Sequence, residues 1–191
     1  MAVGRGVTIS AVGTLSVDAT TNGVRLNGAN GTPHTFTSTG DNTVTLGAVT
    51  AVNNGNLVVN SENTLTLESI DVNDGSVTLN VDTDGDTAAV NLTVGALSAG
   101  SINYDGGADL DDVLVVNGDQ TATTGSISFS DFATADLNGD VSATTTLSAT
   151  NVTTVDLGDN VDLSAGGNLD LSTVTTILLS GADTTLSLIH I

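Results

Sequence analysis

Apolar and polar residues alternate in short runs along the whole chain. One five-residue pattern recurs: Gly, a small polar residue, an apolar residue, any residue, an apolar residue. It appears as Gly13-Thr-Leu-Ser-Val17, Gly55-Asn-Leu-Val-Val59, Gly75-Ser-Val-Thr-Leu79, Gly100-Ser-Ile-Asn-Tyr104, Gly125-Ser-Ile-Ser-Phe129 and Gly167-Asn-Leu-Asp-Leu171. The glycines are spaced by 42, 20, 25, 25 and 42 residues. With 42 read as two steps of 21, the repeating unit is 20 to 25 residues. Alternation is the period of a strand buried on one face. Shorter runs of the same kind lie between, at Val44/Leu46, Leu65/Leu67, Val90/Leu92, Val113/Val115, Val155/Leu157 and Val161/Leu163. Turn dipeptides such as Asn54-Gly55, Asp74-Gly75, Asn117-Gly118 and Asn138-Gly139 separate the runs. No stretch keeps apolar residues at helical spacing without Gly, Thr or Asn interrupting it.

A unit of this length with two or three short strands predicts an all-β chain folded as a right-handed parallel β-helix, or β-solenoid. Coils of 20–25 residues would stack at roughly 4.8 Å, so that equivalent side chains form ladders along the axis. Eight or nine coils would make a rod of about 40 Å. Residues 1–185 are read as one solenoid domain, a fragment of a longer protein. An antiparallel β-sandwich, which also uses many short strands, is the alternative.

Composition narrows the function. Thr (32), Asp (20), Asn (18) and Ser (17) supply nearly half of the 191 residues. Net charge is −20, yet 39% of the chain is hydrophobic, enough for a core rather than disorder. The last basic residue before two histidines is Arg25. Nucleic acid is therefore not an expected partner, since binding it rests on Lys and Arg neutralising phosphates. An anionic membrane surface is excluded in the same way. No apolar run approaches the roughly 18 to 20 residues of a membrane span, so no membrane insertion by this segment is expected. The absence of cysteine removes disulfides and thiolate metal sites.

The Gly-(Ser/Asn)-Leu-x-Val repeats in a Thr-, Asn- and Asp-rich chain resemble the β-solenoid regions of large bacterial surface proteins. These include autotransporter passengers and adhesins of the filamentous-haemagglutinin type. The resemblance covers residues 7–185. It implies a secreted or cell-surface location, attached to the outer membrane or released, and a structural or adhesive role. The last six residues, Leu186-Ser-Leu-Ile-His-Ile191, resemble the translation of a sequencing adapter and are read as a non-native tail; the other reading is that Leu186 and Leu188 continue the alternation.

Acids are densest in Asp82-Thr-Asp84-Gly-Asp86 and Asp105-Gly-Gly-Ala-Asp109-Leu-Asp111-Asp112. Oxygen-rich loops of this kind suit calcium. The second cluster resembles the Gly/Asp nonapeptide of calcium-binding β-rolls, with Gly106, Gly107, Asp111 and Val113 in matching positions and Asp109 replacing the third glycine. If Gly75 stacks on Gly100, the same 25-residue step places Asp84 beside Asp109, Asp86 beside Asp111, and Val90 beside Val115. Carboxylates stacked about 5 Å apart repel unless an ion bridges them or one is protonated. Asp82, Asp84, Asp86, Asp105, Asp109, Asp111 and Asp112 are thus the candidate calcium ligands. Solvated turn acids on the outside of a rod are the competing reading. Asp136-Leu-Asn138-Gly-Asp140 resembles half of a calcium loop, with no acid to close it.

Other features read as structural. Asn60, Asn80 and Asn117 each follow a strand, where amide ladders form. His34, in Thr32-Pro-His-Thr-Phe36, reads as a solvated loop residue. Thr35/Thr37, Thr43/Thr45 and Thr64/Thr66 resemble the paired rows of ice-binding solenoids, interrupted by Ser76/Thr78 and Ser126/Ser128. A polysaccharide-degrading β-helix enzyme would use paired carboxylates, but substrate stacking wants aromatics and the chain is 2% aromatic. No catalytic residue is assigned. The expected function is a non-enzymatic surface segment that projects or presents a binding face, with calcium on its turns. Its partners would be a host or surface glycan or protein receptor, and neighbouring coils of the full-length protein.

Overall fold

The structure is a computed structural model that describes residues 2–3, 8–17, 24–27, 33–52 and 54–181. The segment 186–191 lies outside them. Strands pair in parallel throughout, and no helix occurs among the described residues. The described residues wind as a β-solenoid of about seven turns. Parallel pairing excludes the antiparallel sandwich.

Each coil has three faces. Face 1 carries β2 (Thr8–Val12), β5 (Pro33–Thr39), β8 (Asn56–Ser61), β10 (Ser76–Asn80), β12 (Ser101–Asp105), the first parts of β15 (Ile127–Leu137) and β17 (Thr146–Leu157), and β19 (Asn168–Asp170). Face 2 carries β3 (Leu15–Val17), β6 (Val44–Leu46), the first parts of β9 (Leu65–Asp71) and β11 (Asn91–Ala99), β13 (Val113–Val116), the second parts of β15 and β17, and β20 (Thr176–Leu179). Face 3 carries β1 (Ala2–Val3), β4 (Val24–Asn27), β7 (Val49–Val52), the second parts of β9 and β11, β14 (Gln120–Ala122), β16 (Val141–Ala143) and β18 (Leu163–Ala165). Coils are numbered I to VII by their face 1 strand, from β2 to β17.

Alternation sets which side chains enter the core. On face 1 the inward columns run Phe36–Val59–Leu79–Tyr104–Phe129 and Leu57–Val77–Ile102–Ile127–Leu147, all buried. Face 2 contributes Val44–Leu65–Leu92–Leu114–Ala135–Val155. Each fully buried Val, Leu or Ile contributes roughly 1.5–3 kcal/mol, and an Asp at Leu79 would break the column. Tyr104 stacks on Phe129 with ring centroids 5.3 Å apart. Its hydroxyl donates to Gln120 Oε1, and Gln120 Nε2 donates to the Gly95 and Gly118 carbonyls, closing the polar edge of that core layer. Gly95 itself turns the corner so closely that a Cβ would collide with the Glu68 carbonyl of the coil below.

Val58, Thr78, Asn103, Ser128 and Ser148 stand in one column, so these coils are 20, 25, 25 and 20 residues long. The glycine spacing from Gly55 onward follows this register. The first interval does not. Gly13 precedes a face 2 strand and Gly55 a face 1 strand, and the first coil, Thr8 to Thr35, takes 27 residues. The described residues make about seven turns, close to 34 Å at roughly 4.8 Å per turn.

Two smaller expectations change as well. His34 lies within β5 and is fully buried in the inward column that Leu57 and Val77 continue, rather than in a solvated loop. Neither of its ring nitrogens has a hydrogen-bond partner, and burial holds its pKa below the ordinary value. The amide ladder forms between Asn80 Nδ2 and Asn60 Oδ1 (2.7 Å), continued by Asn60 Nδ2 to Thr37 Oγ1 (3.2 Å). Asn117 lies apart from it, at the corner between faces 2 and 3, its N–H on the Val94 carbonyl.

Candidate metal centre

The corner from face 1 to face 2 differs between coils. The column Asn60–Asn80–Asp105–Ser130–Thr150 ends face 1, and Leu65–Leu92–Leu114–Ala135–Val155 begins the inward part of face 2. Four residues join the two columns in coils III, VI and VII: 61–64, 131–134 and 151–154. Coil IV uses eleven, 81–91, and coil V eight, 106–113. Both acidic clusters sit on these two expanded corners, one directly above the other.

Unequal corners alter the expected register. The 25-residue step holds along face 1, then falls to 22, because Asn91 pairs with Val113. Val90 therefore meets Asp112 rather than Val115, and its N–H donates to Asp112 Oδ1 at 2.8 Å. The shorter upper corner draws Asp112 inward and brings Asp109 over Asp82.

Asp82, Asp109 and Asp112 each offer a carboxylate oxygen, and the three oxygens lie within 4.8 Å of one another. Asp82 is 1% exposed and Asp112 is 0% exposed, while Asp109 is half-buried. Both oxygens of Asp82, Oδ1 of Asp109 and Oδ2 of Asp112 are buried with no hydrogen-bond partner. Burying an unpaired carboxylate is costly, by several kcal/mol per ion. The titrations reflect this. Burial, then the Asp109 carboxyl and the charges of Asp112 and Asp84, push the Asp82 carboxyl up to about 7. Burial pushes Asp112 up to about 6; the Val90 N–H works against it, and the charges of Asp111, Asp109 and Asp86 add to it. Gly107 keeps the centre open. Its φ is +98°, and a Cβ there would stand 2.8 Å from Asp82 Oδ2.

The remaining predicted ligands divide. Asp84 and Asp86 are exposed and gather with Asp82 into a second group, again within 4.8 Å. Asp105 ends face 1 and accepts the Gly107 N–H at 3.1 Å, beside the cleft. Asp111 is half-buried with Oδ1 unpartnered, and it belongs to neither group. A third group was missed from the sequence: Asp41 of coil II, Glu62 of coil III and Asp84 of coil IV. Glu62 Oε2 there accepts the N–H groups of Gly40 and Asp41. An open cleft of about 380 Å³, lined by Asp82, Asp84, Gly85, Asp105 and Gly107, borders the buried group at Asp82.

In the stretch Asp136–Asp140 both carboxylates already accept hydrogen bonds. Asp136 lies on β15 and accepts from Asn138 Nδ2 at 3.1 Å, while Asp140 Oδ1 accepts the Asp162 N–H at 2.9 Å. The threonine pairs divide between faces: Thr35/Thr37 lie on face 1, Thr43/Thr45 and Thr64/Thr66 at face 2. Above Thr45, Thr66 and Thr93 that face 2 column passes to Val115, Asp136 and Asp156.

A set of oxygen donors, carboxylates only, suits a hard divalent cation. Calcium takes 6–8 oxygens at roughly 2.3–2.6 Å in flexible geometry, which three oxygens within 4.8 Å of each other can meet. Water entering by the cleft would complete the shell. No protein-family model matches this chain, and no curated protein or solved structure does.

Proposed function

We propose that this chain is a non-catalytic segment of a secreted or cell-surface bacterial protein. It forms a rod that projects or presents a binding face to a glycan or protein receptor, with calcium joining coils IV and V. The observation that carries the calcium part is Asp82, buried with both oxygens unpartnered against Asp109 and Asp112 of the next coil. The rod part is supported by inward columns that run unbroken through successive coils between polar outer ladders. Such a stack adds length coil by coil, which is what a spacer requires.

One observation favours the enzymatic alternative. On face 3 an open cleft of about 340 Å³ brings Asp71 and Asp119 together with the hydroxyl residues Thr50, Ser98 and Thr121. Incubation of the purified chain with acidic and neutral polysaccharides tests both readings. Binding without release of reducing ends is the expected result. Chain cleavage that Asp71→Asn abolishes would replace the presenting role with hydrolysis. Limited proteolysis tests the cation: calcium should protect the 81–112 region relative to chelator, and equal cleavage in both would remove calcium from the proposal.

A further inference from the structure

We propose that the expanded corner holds two calcium ions, with Asp82 bridging them. This rests on the calcium reading above and goes beyond it in number, order and ligand sharing. Asp82 is the one residue common to the buried group with Asp109 and Asp112 and the outer group with Asp84 and Asp86. One ion on the buried group needs a single Asp82 oxygen, yet both of its oxygens are buried and without a donor. The second oxygen is thereby available to an ion on the outer group.

The outer group is built to receive one. Asp82, Asp84 and Asp86 alternate along the corner, and Gly85 between them adopts φ +67°, turning the backbone there. Asp86 Oδ1 accepts the Ala88 N–H at 2.7 Å, which fixes its carboxylate and leaves Oδ2 for the ion. Asp84 and Asp86 are exposed, so the outer ion keeps more of its water and binds more weakly than the inner one. The inner ion spans coils IV and V; the outer ion orders the coil IV corner alone. Loading is sequential, because the inner ion fixes the shared carboxylate before the outer ion uses it.

Isothermal titration and native mass spectrometry of the full chain with calcium chloride test this. Two bound ions in two steps are expected, the first at least ten-fold tighter. Asp86→Asn, at an exposed position, should leave a single bound ion, the tighter of the two. Asp82→Asn should weaken both steps ten-fold or more, with circular dichroism confirming that the solenoid persists. A single ion in the wild type that Asp86→Asn does not affect would overturn the two-ion inference and leave calcium binding intact. No bound ion would overturn both.

Discussion

Acids occupy two corners of this solenoid, and they do different things there. At the corner from face 2 to face 3, Asp119, Asp140 and Asp162 follow one another on coils V, VI and VII. The Asp140 N–H donates to Asp119 Oδ1 at 3.2 Å, and the Asp162 N–H donates to Asp140 Oδ1 at 2.9 Å. Each of those two carboxylates satisfies a backbone donor of the next coil while remaining exposed to water. At the corner from face 1 to face 2, Asp82 and Asp112 are buried and keep oxygens with no donor at all. The contrast shows that acid density does not identify a site. What separates the two corners is the extra chain in coils IV and V, which carries carboxylates inward beyond the backbone donors.

The largest test of that contrast is the cation itself. Calcium at a hundred times its dissociation constant stabilises by about 2.7 kcal/mol. For a chain of this size that raises Tm by about 5–10 °C over chelator. Differential scanning calorimetry with calcium and with EDTA measures it, and an unchanged Tm would make the two corners equivalent. Next is Asp112, which separates charge from hydrogen bonding. Asp112→Ala strands the buried Val90 N–H and should cost about 1–3 kcal/mol in chelator, and more in calcium, because it also removes a ligand of the ion. Asp112→Asn keeps the acceptor while removing charge, so in chelator it should match or exceed wild-type stability and lose much of the calcium response. A smaller effect is expected at the other corner. Asp140→Ala removes one exposed side-chain acceptor, that of the Asp162 N–H, and should cost about 0.5–1.5 kcal/mol, with the calcium response intact.

How much of this was legible from sequence depends on whether a local pattern repeated. Leu57/Val59, Val77/Leu79, Ile102/Tyr104 and Ile127/Phe129 follow glycines at steps that match the folded register, so the inward columns of coils III to VI were readable. Gly13 misled because its pattern marks any strand after a turn, whichever face it joins. His34 was hidden by Pro33, although the alternation of His34 with Phe36 placed both inward. Asp82, Asp109 and Asp112 all stood among the candidate ligands. Their grouping was not readable, because a constant step cannot register an eleven-residue corner beneath one of eight. The ladder Asp119–Asp140–Asp162 carried a signal that went unused: intervals of 21 and 22 residues, one coil each.

The smallest expected effect is on pH dependence, and its sign also divides the molecule. Asp82 and Asp112 have folded pKa values of about 7 and 6, above the ordinary 3.8. Between 3.8 and 7 the folded state therefore holds more protons than the unfolded chain, and without calcium stability falls as pH rises through that window. His34 acts in the opposite sense. Its pKa is lowered from 6.5 by burial, so the folded state resists its proton and stability falls as pH drops below 6.5. In EDTA, Tm should thus rise from pH 7.5 to 6.5 and then level off as the two effects oppose each other. His34→Leu, which extends the inward column of Leu57 and Val77, should let the rise continue toward pH 5. Asp82→Asn should flatten the slope above 6.5. Calcium should flatten it as well, since an ion on the buried carboxylates replaces the protons that otherwise neutralise them. A Tm in EDTA that falls from pH 7.5 to 6.5 would show that the buried carboxylates are not the groups governing stability at this corner.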